Sequence, residues 1–453
     1  MRNIGPSRLY ASGMRLVPSP TARMTVAGML AALAASVLPA STAHAAEPQA
    51  PGSFTGYGFD TCVAPSQTVM DRWNLSSQYS AIGIYISGNS RYCGDAYQPN
   101  LSPAWVADNA AIGWRFVPIH VGYQAPCFKN NPDSRVQKKR MSRTTSTARS
   151  QATSDANEAV AALKKYGFPA GSFTYLDIEY YSRSDTSCDA AVRQFVDAFD
   201  ERVHALGFRT GLYSSGSAAI ASINAIRTAS WLDKPDHMWI AWTNRIADTD
   251  GGPYLADSAW NHHERIHQYH NGVNETYGGK TLNIDKDFLD VGKGSVRPAE
   301  QQPCGHPMTY QTWPGLTLGS RADQVWVLEC RLKAVGQLQT VDGYLSTGTI
   351  AAINRFRASL GWSQNSRTSR EFWTALLSAG SQPRVLKYGD VGEDVYRLQR
   401  ALRAAGEDIT SYGKFNAQTA AAVRRYRLAR DLAGYRTATA GTWVNLQKGK
   451  LTK

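Results

Sequence analysis

Short apolar runs alternate with amphipathic helical patterns over the first two thirds of the chain. Eight of these runs predict β-strands. They lie at Phe54–Asp60, Ala81–Ser87, Arg115–Val121, Phe173–Glu179, Thr210–Tyr213, Met238–Trp242, Ile266–Tyr269 and Leu282–Phe288. The clearest helices are Ser150–Tyr166 and Ala190–Leu206. Each is followed by a glycine (Gly167, Gly207), which is typical of a helix end.

Alternating strands and helices predict an α/β fold with parallel strands. Eight strands over about 240 residues suggest a (β/α)8 TIM-type barrel at 54–294, with its site at the C-terminal ends of the strands. A doubly wound open sheet is the structural alternative, but the sequence contains no Gly-x-Gly-x-x-Gly turn that would support it.

The pattern changes after Gly294. Residues 295–307 are rich in Pro, Gln and Gly and predict a linker, and the chain beyond them contains a repeat. A shift of 70 residues aligns Val325, Leu328, Leu332, Gly336, Gly343, Thr349, Phe356 and Trp373 with Val395, Leu398, Leu402, Gly406, Gly413, Thr419, Tyr426 and Trp443. One offset held through helix, turn and helix indicates a duplication. We therefore predict two small all-α three-helix domains, at 308–380 and 383–450.

Length and charge add two constraints. A chain of 453 residues is too long for one ordinary core, so several domains are expected. The formal net charge of +13 fits an anionic partner such as a wall polymer, a nucleic acid or an acidic lipid. No nucleic-acid-reading motif is present, so we expect no nucleic-acid partner. The basic loop Lys129–Arg149 is either a solvated loop or a rim that attracts an anionic polymer.

The N-terminal segment predicts export. The apolar run Met24–Pro39 follows four arginines, and Ala-His-Ala at 43–45 is a small-x-small cleavage signal. We therefore predict a signal peptide at 1–45 and a secreted protein. The run is short for a membrane span and is broken by Pro39, so no stable span is expected after cleavage. No twin arginine is present, which favours the general secretion route.

The six cysteines favour disulfides over a metal site, because the count is even, the chain is predicted to be exported and there is no Cys-x-x-Cys pair. Spacing alone leaves the connectivity open. Position favours pairing Cys62 with Cys93, Cys127 with Cys188, and Cys304 with Cys330, of which the last would tie the linker to the first helical unit. We expect no metal and no cofactor.

Carboxylates at the ends of the predicted strands are the candidate chemistry. Asp177 and Glu179 lie two apart and so share a face of their strand. Asp60 closes the first strand and Asp285 lies on the last, and these two strands are neighbours in a closed barrel. The four acids are either structural or converge at one site. Glycoside hydrolysis needs an acid that protonates the leaving oxygen, and a carboxylate or acetamido group that stabilises the positive carbon. We assign Glu179 to the first role and Asp177 to orienting or charge stabilisation.

Aromatic and amide side chains at or just beyond the strand ends suit a sugar, because rings stack on its apolar face and amides bond its hydroxyls. Ordinary packing is the alternative for each of them. The candidate substrate-binding residues are Tyr123, Gln124, Tyr213, Trp242, Gln268 and Tyr269.

Ordered strand motifs carry a family resemblance. Gly-Phe-Asp-Thr-Cys (58–62), Ile-Tyr-Ile-Ser-Gly (84–88), Tyr-Leu-Asp-Ile-Glu-Tyr (175–180) and Trp-Ile-Ala-Trp (239–242) resemble the Rv2525c-like (DUF1906) family of glycoside-hydrolase-like domains. The resemblance implies a barrel related to the family 25 lysozymes. Those enzymes use an Asp-x-Glu on the fourth strand, matching Asp177 and Glu179, and acids on the first and last strands, matching Asp60 and Asp285.

The two C-terminal units are similar to peptidoglycan-binding-like domains, and residues 389–395 match that pattern more closely than residues 319–325. We therefore predict a monomeric, cell-wall-associated, muramidase-like glycoside hydrolase that acts on peptidoglycan or another wall glycan. The alternative is a non-catalytic wall-binding protein with a degenerate barrel. A third possibility, an amidase, would need a metal or a nucleophile, and the candidate ligands are His262, His263, His267 and His270.

Overall fold

Eight strands close into a barrel in the order in which they occur along the chain. The structure is a computed structural model that describes residues 50–132, 134 and 136–452, so the predicted signal peptide lies outside it. The strands are β1 (Phe54–Asp60), β2 (Ala81–Ser87), β3 (Arg115–His120), β4 (Phe173–Ile178), β5 (Arg209–Ser215), β6 (His237–Ala241), β7 (Glu264–Tyr277) and β8 (Lys280–Val291). The predicted α/β barrel is confirmed.

Helices connect the early strands. They are α1 (Gln67–Ser76), α2 (Pro103–Ala111), α3 (Thr145–Lys165), α4 (Thr186–Ala205) and α5 (Ala221–Ile226), with a 3-10 turn at Asp95–Tyr97 and a π-helical turn at Gly216–Ile220. Parallel pairing runs from β1 to β7, as these crossover helices require.

The direction of the last strand differs from the prediction of eight parallel strands. β8 is antiparallel to both β7 and β1. The cause is the connection between β7 and β8, which consists of Gly278 and Gly279 with φ angles of 55° and 75°. Two residues can form a tight hairpin, whereas a parallel crossover needs a dozen or more. The regular strand–helix alternation therefore ends before this hairpin.

Alternation along the strands divides the apolar side chains into two layers. Inward-facing residues such as Phe54, Val117, Tyr175, Trp239 and Leu289 fill the interior of the barrel. Outward-facing residues of the strands form a larger core with the surrounding helices. We call the end of the barrel at which β1 to β6 terminate the mouth.

Six helices follow the barrel in the described part of the chain. They are α6 (Asp323–Ala334), α7 (Thr347–Ser359), α8 (Arg370–Ser378), α9 (Glu393–Ala405), α10 (Ala417–Leu428) and α11 (Ala440–Gln447). The caps obey the offset of 70: Ser346 accepts from the backbone N–H of Thr349, and Asn416 accepts from that of Thr419. Buried apolar residues of both repeats form one continuous cluster. The boundaries of two separate domains stay a prediction.

The second repeat packs against the end of the barrel opposite the mouth, and we call this contact the basal interface. The buried Lys387 ammonium donates to Asn74 Oδ1 at 2.7 Å and to the Tyr79 carbonyl at 2.6 Å, and it lies 4.5 Å from the centre of the Trp114 ring. Ser295 Oγ also donates to the carbonyl of Gly389. Tyr79 and Trp114 immediately precede β2 and β3, so the second repeat covers the starts of these strands.

All six cysteines form disulfides, at the three predicted pairs: Cys62–Cys93, Cys127–Cys188 and Cys304–Cys330. The described helices include none with the length and apolar character required to cross a bilayer.

Candidate functional site

Acidic side chains from three strands meet at the mouth. Asp60 is the last residue of β1, Asp177 lies in β4, and Glu179 is the first residue after β4. Asp285 is opposite Asp60 in the antiparallel pairing of β8 with β1. The charges of Asp285 and Glu179 both raise the pKa of Asp60, and the charge of Asp60 raises the pKa of Asp177. The four predicted acids therefore share one electrostatic environment.

Asp60 is buried and held from both sides. Its Oδ1 accepts from the Tyr85 hydroxyl at 3.0 Å, and its Oδ2 accepts from Gln268 Nε2 at 2.8 Å. The side-chain Oε1 of Gln268 in turn accepts from the Tyr213 hydroxyl at 2.9 Å. Burial is the main cause that raises the pKa of Asp60 to about 7, and the neighbouring carboxylates add to it. Two of the predicted sugar-binding residues, Gln268 and Tyr213, thus position an acid.

Asp177 is the most isolated of the buried acids. Its Oδ1 is buried and has no hydrogen-bond partner among the described residues. Burial, followed by the charge of Glu179, raises the pKa of Asp177 well above its usual range. Gln124 braces this strand end: its Nε2 donates to the Asp177 carbonyl and its Oε1 accepts from the Glu179 N–H, both at 2.8 Å.

Glu179 points into a cleft of about 540 Å³ beside the mouth. Its Oε1 accepts from Lys138 Nζ at 2.5 Å, and about 40% of its side chain is exposed. Lys138 comes from the predicted basic loop, and its backbone N–H is held by Asn130 Oδ1 at 2.9 Å. The exposed Tyr180 and half-buried Phe128 also line the cleft. The basic loop thus places a cation directly on the predicted proton donor.

Three residues near the acids were not among the predicted site residues. Asp287 is buried, accepts from Trp239 Nε1 at 3.0 Å, and has its pKa raised well above the usual range by burial and by Asp60. Tyr85 bonds Asp60 as described above. Asp287 lies two residues after Asp285 on β8, so the alternation of side chains along a strand could have selected it.

Three predicted aromatic residues lie elsewhere. The Tyr123 ring packs towards α4, 6.3 Å from the Phe195 ring. The Trp242 ring stacks on the His267 ring at 5.7 Å. Tyr269 follows the inward-facing Gln268, lies on the opposite face of β7, and is buried next to Lys286. The structure therefore does not bring these three side chains to the acids.

Two of the four histidines considered as metal ligands make other contacts. His267 bonds the carbonyl oxygens of Trp242 and Asp248, and His263 pairs with Asp290. Within the described residues, one group of three potential ligands lies close together, but two of its members, Cys127 and Cys188, form a disulfide.

Comparisons with known proteins describe the same barrel. Residues 71–289 match the family model described as an Rv2525c-like, glycoside hydrolase-like domain. No curated protein matches the chain significantly. An uncharacterised Bacillus stearothermophilus protein is 14% identical, with 52% of this chain and 95% of that chain covered and a TM-score of 0.36.

Two further solved structures are each similar to about half of the chain. The catalytic domain of a Listeria monocytogenes bacteriophage endolysin is 16% identical, with 52% and 93% covered and a TM-score of 0.31. The Mycobacterium tuberculosis Tat-secreted protein Rv2525c, in complex with L-tartrate, is 10% identical, with 52% and 95% covered and a TM-score of 0.35. Residues 71–289, which include most of the closed barrel, are therefore similar to an Rv2525c-like, glycoside hydrolase-like domain.

Proposed function

We propose that the barrel is an exported glycoside hydrolase that acts on the glycan of peptidoglycan. The observation that carries this proposal is the gathering of Asp60, Asp177, Glu179 and Asp285 at one mouth, where burial and mutual repulsion raise the pKa of three of them. Glycoside cleavage requires a carboxylic acid that gives a proton to the leaving oxygen and a second group that stabilises the positive carbon, and a cluster of carboxyl groups can supply both.

The two residues of the Asp-x-Glu pair take different roles in this proposal. Glu179 faces the cleft, so it can reach a leaving oxygen and donate a proton to it. Asp177 is buried and burial raises its pKa, so its carboxyl group is suited to orient an acetamido group that stabilises the positive carbon. Lys138 donates a hydrogen bond to Oε1 of Glu179 in this structure. It has to move away before that oxygen can carry the transferred proton.

A second candidate function is non-catalytic binding of wall glycan. The Lys138–Glu179 ion pair favours it, because a cation on the proposed donor suits a binding cleft as well as it suits a restrained enzyme. In this case the cleft binds glycan and breaks no bond.

Release of new reducing ends from purified wall glycan separates the two functions. Residues 46–453 should release ends, and Glu179→Gln should lower the rate by 100-fold or more, roughly the contribution of a general acid. Glu201→Gln is the matched control, because Glu201 is an exposed acid on α4 that pairs with Arg149. Saturable glycan binding without new ends, unchanged by Glu179→Gln, would establish the binder and refute the hydrolase.

Export is proposed on separate grounds. Three disulfides are typical of proteins that fold in oxidising compartments. The N-terminal signal and the helical tail support secretion and retention at the wall. Fractionation of cells that produce the full chain should recover the mature protein, cut before Ala46, in the wall fraction.

A further inference from the structure

A groove of about 560 Å³ lies where the two helical repeats meet. The first repeat contributes Arg357 and Trp362 to its lining, and the second contributes Arg430, Lys448 and Lys450. Neither repeat forms the groove alone. The site is therefore a product of the duplication and is distinct from the barrel mouth.

The lining carries an excess of positive charge. Four of its side chains are cationic and one, Glu371, is acidic. In the part of the chain that the structure describes, none of the four cations forms an ion pair with a carboxylate. The Nε atom of Arg430 is buried and has no hydrogen-bond partner there either. The groove therefore offers cationic groups that form no ion pair within the described residues, which suits an anionic ligand.

Hydrogen bonds hold the backbone around the groove, from which its cationic side chains extend. The Tyr426 hydroxyl donates to the Lys450 carbonyl at 2.9 Å, and the Lys450 N–H donates to the Asn445 carbonyl at 3.0 Å. Gly449, with a φ of 65°, lies so close to Trp362 that an added Cβ would be 2.5 Å from the indole ring. This contact joins the two repeats at the groove.

Trp362 supplies a second kind of contact. Its ring is half-buried, and the Arg357 guanidinium lies 5.4 Å from its centre. An indole beside several cations suits a ligand that combines a sugar ring with negative charge, because the ring stacks while the charges bind.

We propose that this groove binds an anionic saccharide. The carboxylate or phosphate groups of the ligand would contact Arg430, Lys448 and Lys450, and one of its sugar rings would stack on Trp362. The choice of a wall polymer as its source rests on the proposed function. Carboxylates of the peptide-bearing glycan and phosphates of attached phosphodiester polymers share this chemistry.

Co-sedimentation of the mature protein with insoluble peptidoglycan tests the proposal. Lys448→Gln with Lys450→Gln should weaken binding roughly tenfold at moderate salt, as expected for two exposed charge contacts. The matched control is Lys333→Gln with Arg424→Gln, which removes two exposed cations of the tail outside the groove and should change binding less than twofold. Trp362→Leu should weaken binding in the same direction as the groove variant.

Equal losses in the two double variants would overturn the proposal, because they would show non-specific attraction by net charge. Failure of the wild type to sediment would also overturn it. Peptidoglycan stripped of phosphodiester polymers distinguishes the sources: retained binding assigns carboxylates, and lost binding assigns phosphates. Reducing-end release from soluble glycan fragments should be unchanged in the groove variants, so failure of the hydrolase proposal and failure of this one are distinguishable.

Discussion

Asp60 makes folding stability depend on pH, and Asp60→Asn should remove the contribution of this group to that dependence. The folded protein holds the Asp60 proton up to a pKa of about 7, against a usual value of 3.8. Between these values the folded state binds more protons than the unfolded state, so the free energy of unfolding falls as pH rises. Stability from this group is fully present below about pH 4 and is lost as pH passes through 7.

The size of the effect follows from the shift. About three pKa units at 1.36 kcal/mol each correspond to about 4 kcal/mol between pH 4 and pH 8. Asparagine does not titrate. Its amide N–H group can replace the carboxylate oxygen that accepts from Gln268 Nε2, and this loss of an acceptor costs about 1 kcal/mol of stability at every pH. The variant should therefore be slightly less stable than wild type at pH 4 and more stable at pH 8.

Thermal unfolding of disulfide-intact protein at pH 4, 6 and 8 measures this crossover. For a unit of this size the difference in Tm between variant and wild type should change by roughly 5 to 10 °C over the range. Asp71→Asn on α1 controls for loss of an exposed carboxylate. A difference in Tm between Asp60→Asn and wild type that stays constant with pH would refute the electrostatic reasoning about the mouth.

Three further predictions concern contacts around the barrel. Lys138→Met should raise reducing-end release several-fold, because it frees the Glu179 oxygen; a lower rate would mean that Lys138 binds substrate instead. Replacing Cys127 and Cys188 together by serine should lower the free energy of unfolding by about 4 kcal/mol, since the disulfide closes a loop with a sequence separation of 61, and urea titration would measure the loss. Gly389→Ala should loosen the basal interface, because φ is 91° and the added Cβ would lie 2.5 Å from a backbone oxygen of β1; faster proteolysis within residues 296–307 is the expected sign, and an unchanged cleavage pattern would contradict it.

The places of the strands could be predicted because each strand is an apolar run between polar segments. β1 and β2 have the predicted bounds, and β4 differs by a single residue at its end. The direction of β8 was predictable in principle, since Gly278-Gly279 between two alternating runs is a hairpin signal. The prediction of a regular barrel outweighed that local signal and was wrong for this strand.

The acids could be placed because strand ends in a barrel converge, but the side chains around them are harder to predict. The sequence predicts Trp242 as a site residue. In the structure it is Trp239, three residues earlier and on the inward face, that donates to the buried Asp287. Alternation carries that information once the strand bounds are known. The contact between Lys138 and Glu179 has no such periodic signal, because it depends on how a long polar loop folds back over the mouth.

The basal interface fixes which way the barrel faces. Lys387 and Gly389 join the tail to the starts of the strands, whereas the acids open at their opposite ends. If the tail holds wall polymer as proposed, the acids therefore open on the side of the barrel that faces away from this attachment.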